Sequence, residues 1–219
     1  MAQKPNPPSG VAGTLQKLVD VGLALSYEKD IDRVLELVLE AARDVSNSDA
    51  GTLYLKDGDH LHFKVVQNDT TGIRIGGTSG KSIPFPPVEL IETNVSAYVA
   101  LNGTPVIISD VYDTDLFDFT GPKKYDQSTG YRSKSMLVVP MLNHENEVIG
   151  VLQLLNAKDR QTGEVIAFRK ESEGIVSSLA SQAAVALTNK LLVAHLEENI
   201  ADIKSLQTAE EELNKKLKD

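Results

Sequence analysis

The stretch VIGVLQLLN, residues 148–156, constrains the fold of this chain more than any other segment. It is apolar at nearly every position, whereas a strand with one solvated face alternates apolar and polar residues. Both faces of this strand are therefore expected to be covered. A second strand pattern at 134–141, apolar from Met136 onward, precedes it and is joined to it by LNHENE, which predicts a pair of long neighbouring strands.

Gln153 is the polar exception in the middle of that strand. A buried amide needs hydrogen-bond partners. The side chain either bonds to neighbouring side chains or water, or it faces a pocket in which a ligand completes its bonding.

The segments before this pair alternate between helical and strand patterns. Apolar residues recur at helical spacing over 15–25, and a second stripe starts at Ile31 behind Asp30, a residue type that caps helices. Two β-rich runs then flank the turn signal Asp57-Gly58-Asp59. The sequence predicts two amphipathic helices followed by a hairpin.

The middle of the chain combines a Gly-rich loop, a helix and a short strand. TTGIRIGGTSGKSIPFPP is expected to be a flexible loop with a short strand at 82–85. TNVSAYVALNG predicts a helix that Thr93 or Asn94 caps and Gly103 ends, and TPVIISD predicts a strand. Residues 111–132, here called the lid, are polar and mixed with a weak helical tendency.

This order of elements is typical of an α+β fold. We expect an antiparallel sheet of five or six strands with helices on both faces and a long C-terminal helix. The chain divides into a disordered leader at 1–13, which lacks the apolar core of a signal peptide, a globular domain at 14–192, and a coiled-coil linker helix at 193–219.

The C-terminal helix carries a heptad seam. Val193, Leu196, Ile200 and Ile203 follow 3,4,3 spacing, and Leu206, Leu213 and Leu217 continue the seam after one extra step of three residues. A helix from Phe168 to the end would span about 75 Å at 1.5 Å per residue, which exceeds a compact domain. A parallel homodimer through the terminal helices is favoured over a helix that lies on its own domain.

Composition excludes several classes of site and partner. The chain has no cysteine, which removes disulfides, thiolate nucleophiles and Cys-based metal sites and fits a cytoplasmic location. Its net charge of -9, with no basic block, argues against nucleic acid and anionic membranes as partners. No apolar run reaches the ~18 residues that span a bilayer.

Motifs for catalysis and metal binding are missing from the sequence. His60 and His62 share one strand face, but no third ligand supports them, so exposed strand histidines are expected. The Gly-rich loop lacks the spacing of a phosphate-binding loop, and the acidic lid lacks the ligand pattern of a calcium loop. We expect a domain that is not an enzyme.

Short hydroxyl and amide side chains cluster where the lid meets the first long strand, in DQSTGYRSKSMLVVPM. A plain turn needs fewer of them. They would satisfy either a bound small molecule or the backbone of the lid itself, and both interpretations stay open at this point.

Over residues 15–196 the chain resembles a GAF domain, and most of all those of cyclic-nucleotide phosphodiesterases and of bacterial cyclases and related signalling proteins. The resemblance rests on STGYRSKSMLVVPMLNHENEVIGVLQLLNAKD and FRKESEGIVSSLASQAAVALTNKLL. The phosphodiesterase-type signature is Asn-Lys, a gap, Phe, three residues and Asp-Glu. This chain keeps Asn156, Phe168 and Glu173, but Ala157 fills the lysine position and Ser172 the aspartate position. Lys158, one residue late, is expected to pair with Glu171 or Glu173.

The resemblance implies a ligand between the sheet and the lid, with its phosphate at helix N-termini, which bind anions. By position, Thr52 would face the base, Val95 and Ser96 would lie near the phosphate, and Gln153 would form the floor. Val66 and Gln67 stand where relatives often carry an aromatic–acid pair. The lid side would be lined by Asp126, Thr129 and Ser133.

Two functions follow from this resemblance. The first is a regulatory domain that binds cAMP or cGMP, with no other cofactor indicated, and relays binding through the dimeric helix to an output domain. The alternative is a ligand-free dimerisation or interaction module with a self-filled pocket. A third hypothesis, an enzyme like the GAF-type free methionine sulfoxide reductases, fails because that chemistry needs cysteines.

Overall fold

The computed structural model describes the backbone of residues 11–216 and the side chains of residues 13, 16 and 18–208. Residues 1–10 of the predicted leader lie outside this part of the chain, and residues 11–13 belong to the first helix. The helices are α1 (Val11–Tyr27), α2 (Ile31–Ser46), α3 (Val95–Asn102), α4 (Thr120–Thr129) and α5 (Lys170–Lys216). The strands are β1 (Ser48–Asp57), β2 (His60–Asn68), β3 (Ile73–Gly76), β4 (Val88–Glu89), β5 (Val106–Ile108), β6 (Met136–Leu142), β7 (Val148–Lys158) and β8 (Val165–Ile166).

The strands form one antiparallel sheet in the order β3-β2-β1-β7-β6-β5. The two-residue strands β4 and β8 extend it by pairing with β2 and β7. The predicted α+β class is confirmed, because the sheet is antiparallel and helices cover both of its faces. With the two short strands the sheet has eight strands, whereas five or six were expected.

The sheet separates two apolar cores, as the composition of β7 predicted. Leu152 and Leu154 point to the core formed with α1, α2 and α5. Val151 points to the opposite core, which α3 and the lid cover. Since successive side chains of a strand point to opposite faces, a strand between two cores must be apolar throughout.

Polar side chains fix the helix ends at the predicted positions. Asp30 caps α2 by accepting hydrogen bonds from the N–H groups of Asp32 and Arg33. Asn94 caps α3, and Gly103 ends it with a left-handed φ of 63°. These caps satisfy backbone groups that a helix end leaves without partners.

The Gly-rich segment after β2 is ordered, so the prediction of a flexible loop with a strand at 82–85 is wrong. Its first part is β3, and the next strand is β4. Thr78 donates to the Glu36 carboxylate of α2 from its N–H at 2.9 Å and from its hydroxyl at 2.6 Å. Gly77 has φ of 54°, and a Cβ there would lie 2.5 Å from Glu36 Cγ. Gly77 therefore allows the backbone to approach α2 closely, and the glycine does not indicate a flexible loop.

The helix α5 has an inner half in the core and an outer half whose side chains are exposed from 191 to 208. Val176, Leu179, Ala183 and Leu187 are buried against α2 and the sheet. Every side chain from 191 to 208 is exposed, including the seam residues Val193, Leu196, Ile200 and Ile203. The outer half does not lie on its own domain, and the side chains of Leu213 and Leu217 fall outside the described residues. No helix in the described part of the chain is long and apolar enough to cross a membrane.

Candidate functional site

Three of the predicted site residues form a row across the centre of the sheet, beneath α3 and the lid. Thr52 of β1 pairs with Val66 of β2 on one side and with Gln153 of β7 on the other. The strands β1, β2 and β7 are all interior in the sheet. All three side chains are nevertheless partly exposed. Space is therefore accessible above the sheet at this row.

The side-chain oxygen of Gln153 accepts two hydrogen bonds, whereas its side-chain nitrogen contacts a weak acceptor. Its Oε1 accepts hydrogen bonds from the hydroxyls of Tyr54 at 2.9 Å and Ser96 at 3.3 Å. Burial raises the pKa of Tyr54, so its hydroxyl stays a neutral donor. The amide nitrogen meets the thioether sulfur of Met136 at 3.6 Å, and sulfur is a weak acceptor. The side chain thus offers a donor to a group placed above the sheet.

The start of α3 lies beside this row but is already capped. Val95 and Ser96 are both buried. Asn94 Oδ1 accepts from the N–H groups of Ser96 at 2.9 Å and Ala97 at 3.1 Å. A phosphate could use these two donors only after the Asn94 side chain had turned away.

The predicted lid residues bond to the lid itself. Asp126 is buried, and its carboxylate accepts from the Tyr112 hydroxyl at 2.9 Å and from the N–H and hydroxyl of Ser133 at 2.8 and 2.9 Å. Thr129 is exposed, and its hydroxyl donates to the Tyr125 carbonyl at 2.8 Å. In this conformation the short polar residues of the segment stabilise the lid backbone.

Gln67 does not join the row, which corrects its predicted position. Alternation along β2 puts it on the face opposite to Val66. It is buried there, and its side-chain oxygen accepts from the Arg43 guanidinium of α2 at 2.9 Å. The two residues that the resemblance assigned to one base-binding pair therefore lie on different faces of the sheet.

A chain of aromatic rings connects the sheet to the lid, and the sequence analysis missed it. The ring centroids of Tyr54 and Phe63 are 4.6 Å apart, those of Phe63 and Phe85 5.3 Å, and those of Phe85 and Tyr125 6.4 Å. The hairpin register could have revealed the first pair, because Tyr54 and Phe63 lie opposite each other across the Gly58 turn. Phe85 lies in an irregular segment between prolines, where no periodicity signals its direction.

The signature residue Asn156 joins β7 to the end of the lid. Its backbone is left-handed, with φ of 56°. Its Oδ1 accepts from the N–H of Lys134 at 2.7 Å, and its Nδ2 donates to the Tyr131 hydroxyl at 2.9 Å and the Arg132 carbonyl at 2.8 Å. One side chain thus holds the segment between the lid and β6.

Lys158 pairs with Asp49, so the predicted pairing with Glu171 or Glu173 is wrong. Its ammonium group bonds to the Asp49 carboxylate, which is 1% exposed. Burial opposes ionisation of Asp49, but hydrogen bonds from Lys158, Thr70 and Tyr131 outweigh it and hold the pKa of Asp49 below its ordinary value. Glu173 instead pairs with Lys170 at 2.6 Å.

The described residues contain no group of three or more His, Cys, Asp or Glu side chains arranged to hold a metal ion. His60 and His62, the pair that shares a strand face, have ring centroids 6.4 Å apart. The site is instead a set of neutral hydrogen-bonding groups and aromatic rings above a sheet. Such a lining suits a polar organic ligand.

Comparison with known proteins identifies relatives of this chain. The family model for the GAF domain matches residues 30–187. The chain is 28% identical over 196 residues to a Drosophila melanogaster protein named dual 3',5'-cyclic-AMP and -GMP phosphodiesterase 11. That match covers 81% of this chain but 12% of the relative, so the chain corresponds to a small part of it.

Solved structures show the same fold at low sequence identity. The GAF domain of an Acinetobacter phosphoenolpyruvate-protein phosphotransferase has a TM-score of 0.60 at 15% identity, covering 83% of this chain and 97% of that one. A free methionine-R-sulfoxide reductase from Neisseria meningitidis, solved with its substrate, has a TM-score of 0.58 at 16% identity, covering 88% of this chain and 98% of that one. These likenesses concern the fold.

Proposed function

This chain belongs to the GAF domain family, and we propose that within it the chain is a regulatory domain that binds a cyclic nucleotide, cAMP or cGMP, between the sheet and the lid. GAF domains are regulatory and sensory modules of signalling proteins, and some of them bind cyclic nucleotides. Binding would stabilise one position of the lid. The long helix α5 would carry the change to an output domain.

The observation that carries this proposal is the partly exposed row Thr52–Val66–Gln153. The centre of a sheet covered on both faces is normally closed by packing, yet this row is accessible. Within the row, Gln153 holds an amide nitrogen whose partner is a thioether sulfur. A ligand that brings an acceptor atom to this nitrogen would replace a weak contact with a full hydrogen bond.

The groups around the row suit a flat purine ring better than an extended, flexible ligand. Phe63 and Phe85 add apolar ring surface beside the row, and Tyr125 adds a ring from the lid. Guanine and adenine both carry acceptor atoms on the edges of a flat ring system. The name of the fruit fly relative supports the same ligand class.

Either cyclic nucleotide is expected to raise the melting temperature of this protein. A ligand that binds the folded state alone stabilises it by about 2.7 kcal/mol at a hundredfold excess over Kd. The linear monophosphates AMP and GMP, which carry a different phosphate shape and charge, should shift it much less. Thermal unfolding with each of the four nucleotides measures this.

Gln153→Leu tests whether the shift comes from the proposed site. The change leaves the hydroxyls of Tyr54 and Ser96 without their acceptor, so the ligand-free protein should lose about 1–3 kcal/mol. The nucleotide shift, measured against the variant's own ligand-free value, should fall. Gln127→Leu, on an exposed position of the lid, is the matched control and should keep the shift. An unchanged shift in Gln153→Leu would place the ligand elsewhere.

A second function, the ligand-free dimerisation module, is favoured by a different observation. Asp126 and Thr129 of the lid, and Ser133 directly after it, already bond to one another or to the lid backbone. A lid of this kind can stay closed without a guest. No shift with any nucleotide, in a protein that forms a stable dimer, would select this function.

The dimer in both proposals would use an exposed apolar stripe on the terminal helices. On α1 the stripe consists of Val19, Leu23 and Tyr27, which are 53–81% exposed. A Cβ at Gly22 of α1 would lie 3.2 Å from Gln182 Oε1 of α5. The Lys190 ammonium of α5 bonds to the carbonyl of Glu28, one residue after α1, so the two helices run in the same direction. The seam that starts at Val193 continues where α1 ends. Two copies aligned in parallel would cover both parts of the stripe.

A further inference from the structure

A buried polar cluster lies where the lid, the sheet and the helical layer meet. It consists of Asp49, Tyr131, Asn156 and Lys158, and three of these side chains are at most 6% exposed. Asp49 lies near the start of β1, Asn156 and Lys158 at the end of β7, and Tyr131 at the end of the lid. The four residues come from segments far apart in the sequence.

On the lid side, Tyr131 is the connecting residue. Its hydroxyl accepts from Asn156 Nδ2 at 2.9 Å and lies in the electrostatic field of the neighbouring Asp49 carboxylate. Burial and the neighbouring Asp49 raise the pKa of Tyr131, so the hydroxyl keeps its proton. Asn156 also holds the backbone on both sides of the lid's end, at Arg132 and Lys134. The lid cannot withdraw Tyr131 without breaking bonds to buried groups.

On the helix side, the same cluster holds the last turn of α2. Asn47, the left-handed cap of α2, donates from Nδ2 to the Lys158 carbonyl at 2.6 Å and accepts from the Lys158 N–H at 2.9 Å. Arg43 of α2 donates to the Asp49 carbonyl at 2.9 Å. The helix α2 packs directly on α5, so its last turn belongs to the same layer as the long helix.

We propose that this cluster couples the position of the lid to the helical layer, with Tyr131 as the coupling residue. When the lid is closed, Tyr131 bonds to Asn156 in β7. Two residues later in the same strand, the Lys158 side chain pairs with Asp49 and the Lys158 backbone holds Asn47 at the end of α2. When the lid moves away, the buried Asn156 amide loses the Tyr131 hydroxyl as a partner beside the Asp49 carboxylate, which is unfavourable. The cluster then rearranges and loosens the last turn of α2. The nucleotide arm of this inference rests on the proposed function, whereas the coupling itself holds for any event that moves the lid.

Hydrogen exchange of the amides of residues 43–47 in the full chain tests the coupling without a ligand. Asp126→Asn weakens the bond of Asp126 to Tyr112 inside the lid and its bonds to Ser133 just after the lid, because an amide replaces part of the acceptor with a donor. We expect it to speed exchange at residues 43–47 by about 5-fold or more in the wild-type background, a typical size for coupling between sites. In the Tyr131→Phe background the same change should have little further effect there. The Leu152 amide, in the central strand, monitors global unfolding.

The matched control is Tyr98→Phe, which removes a tyrosine hydroxyl on α3, outside the cluster. Asp126→Asn should act on residues 43–47 as strongly in this background as in the wild type. If Tyr131→Phe does not fold, Lys158→Met breaks the cluster from the helix side and should abolish the effect in the same way. Equal effects of Asp126→Asn in every background, or none at residues 43–47 in the wild type, would overturn the coupling.

A second arm uses cGMP and cAMP as probes. In the wild type, saturating nucleotide should protect the lid and residues 43–47 together, and in Tyr131→Phe it should protect the lid alone. Protection of residues 43–47 that persists in Tyr131→Phe would overturn the inference. Absence of protection anywhere, together with the coupled response to Asp126→Asn, would refute nucleotide binding and leave the coupling supported.

Discussion

Replacing Phe168 with alanine is expected to lower the free energy of unfolding by about 3–5 kcal/mol. The ring is 6% exposed and packs in the core between the sheet and the helical layer, immediately before α5 begins. Its removal leaves a cavity where the long helix joins the domain, and the neighbours there are held by the sheet and by α2. Chemical denaturation of the wild type and of Phe168→Ala measures the loss.

Lys158→Met, one residue after the lysine position of the family signature, is expected to lower the free energy of unfolding less than Phe168→Ala does. An exposed ion pair contributes at most about 1 kcal/mol. The partner of Lys158 is the buried Asp49, so removal of the ammonium group should cost about 1–3 kcal/mol, between a surface pair and a core ring. Leu116→Ala, at a side chain that is 76% exposed, should change stability by no more than about 0.5 kcal/mol. Equal and small losses for Phe168→Ala and Lys158→Met would contradict these assignments.

Ile200→Asp is expected to convert a dimer of this protein into a monomer. Ile200 is 51% exposed in the single chain and lies in the middle of the α5 seam. In a parallel dimer an aspartate there would bury two unpaired charges of the same sign, which costs on the order of several kcal/mol. Light scattering after size-exclusion chromatography at tens of micromolar protein should give twice the chain mass for the wild type and the chain mass for the variant.

Ala201→Asp is the matched control, because the neighbouring position lies off the seam on the same helix. It should leave the dimer intact. A monomeric wild type under these conditions would remove the dimer, and with it the proposed path of the signal along α5. Dissociation by both variants would indicate that net charge, rather than the seam, decides assembly.

The features that could be predicted from the sequence are those that depend on local patterns of residues. The uniformly apolar β7 predicted its two cores, and Asp30, Asn94 and Gly103 predicted helix ends. The apolar residues of the α5 seam are exposed in the single chain, which agrees with their heptad pattern. The parallel dimer that would cover them is a proposal. Each of these features depends on residues within a few turns or strand positions of one another.

The features that were predicted wrongly depend on contacts between distant segments. The direction of Gln67 follows from the register of β2, and its partner Arg43 lies on another element. The partner of Lys158 is 109 residues away, so the spacing of acidic residues after it was misleading. The glycines of the segment after β2 predict flexibility, because the close contact of Gly77 with Glu36 of α2 leaves no local pattern in the sequence.

The lid shows how far a cluster of polar residues can specify a ligand. Its hydroxyls were compatible with either a bound molecule or self-bonding, and in the structure they bond to the lid. The proposed ligand site depends on the sheet, where Thr52, Val66 and Gln153 are partly exposed. In physical terms, an accessible row beneath a closed lid is a stronger indication of a site than the lid's own composition.

Nuclear magnetic resonance of the isotopically labelled protein during titration with cAMP or cGMP tests ligand binding above the sheet most directly. We predict saturable shifts of the amide signals that are largest at Thr52, Ser96 and Gln153. An open groove of about 920 Å³ at the C-terminal end of α3, lined by Leu101, Asn146 and Leu191, serves as the comparison region. The amide signals there should shift less. No saturable shift with either nucleotide, or shifts confined to that groove, would contradict the proposed site.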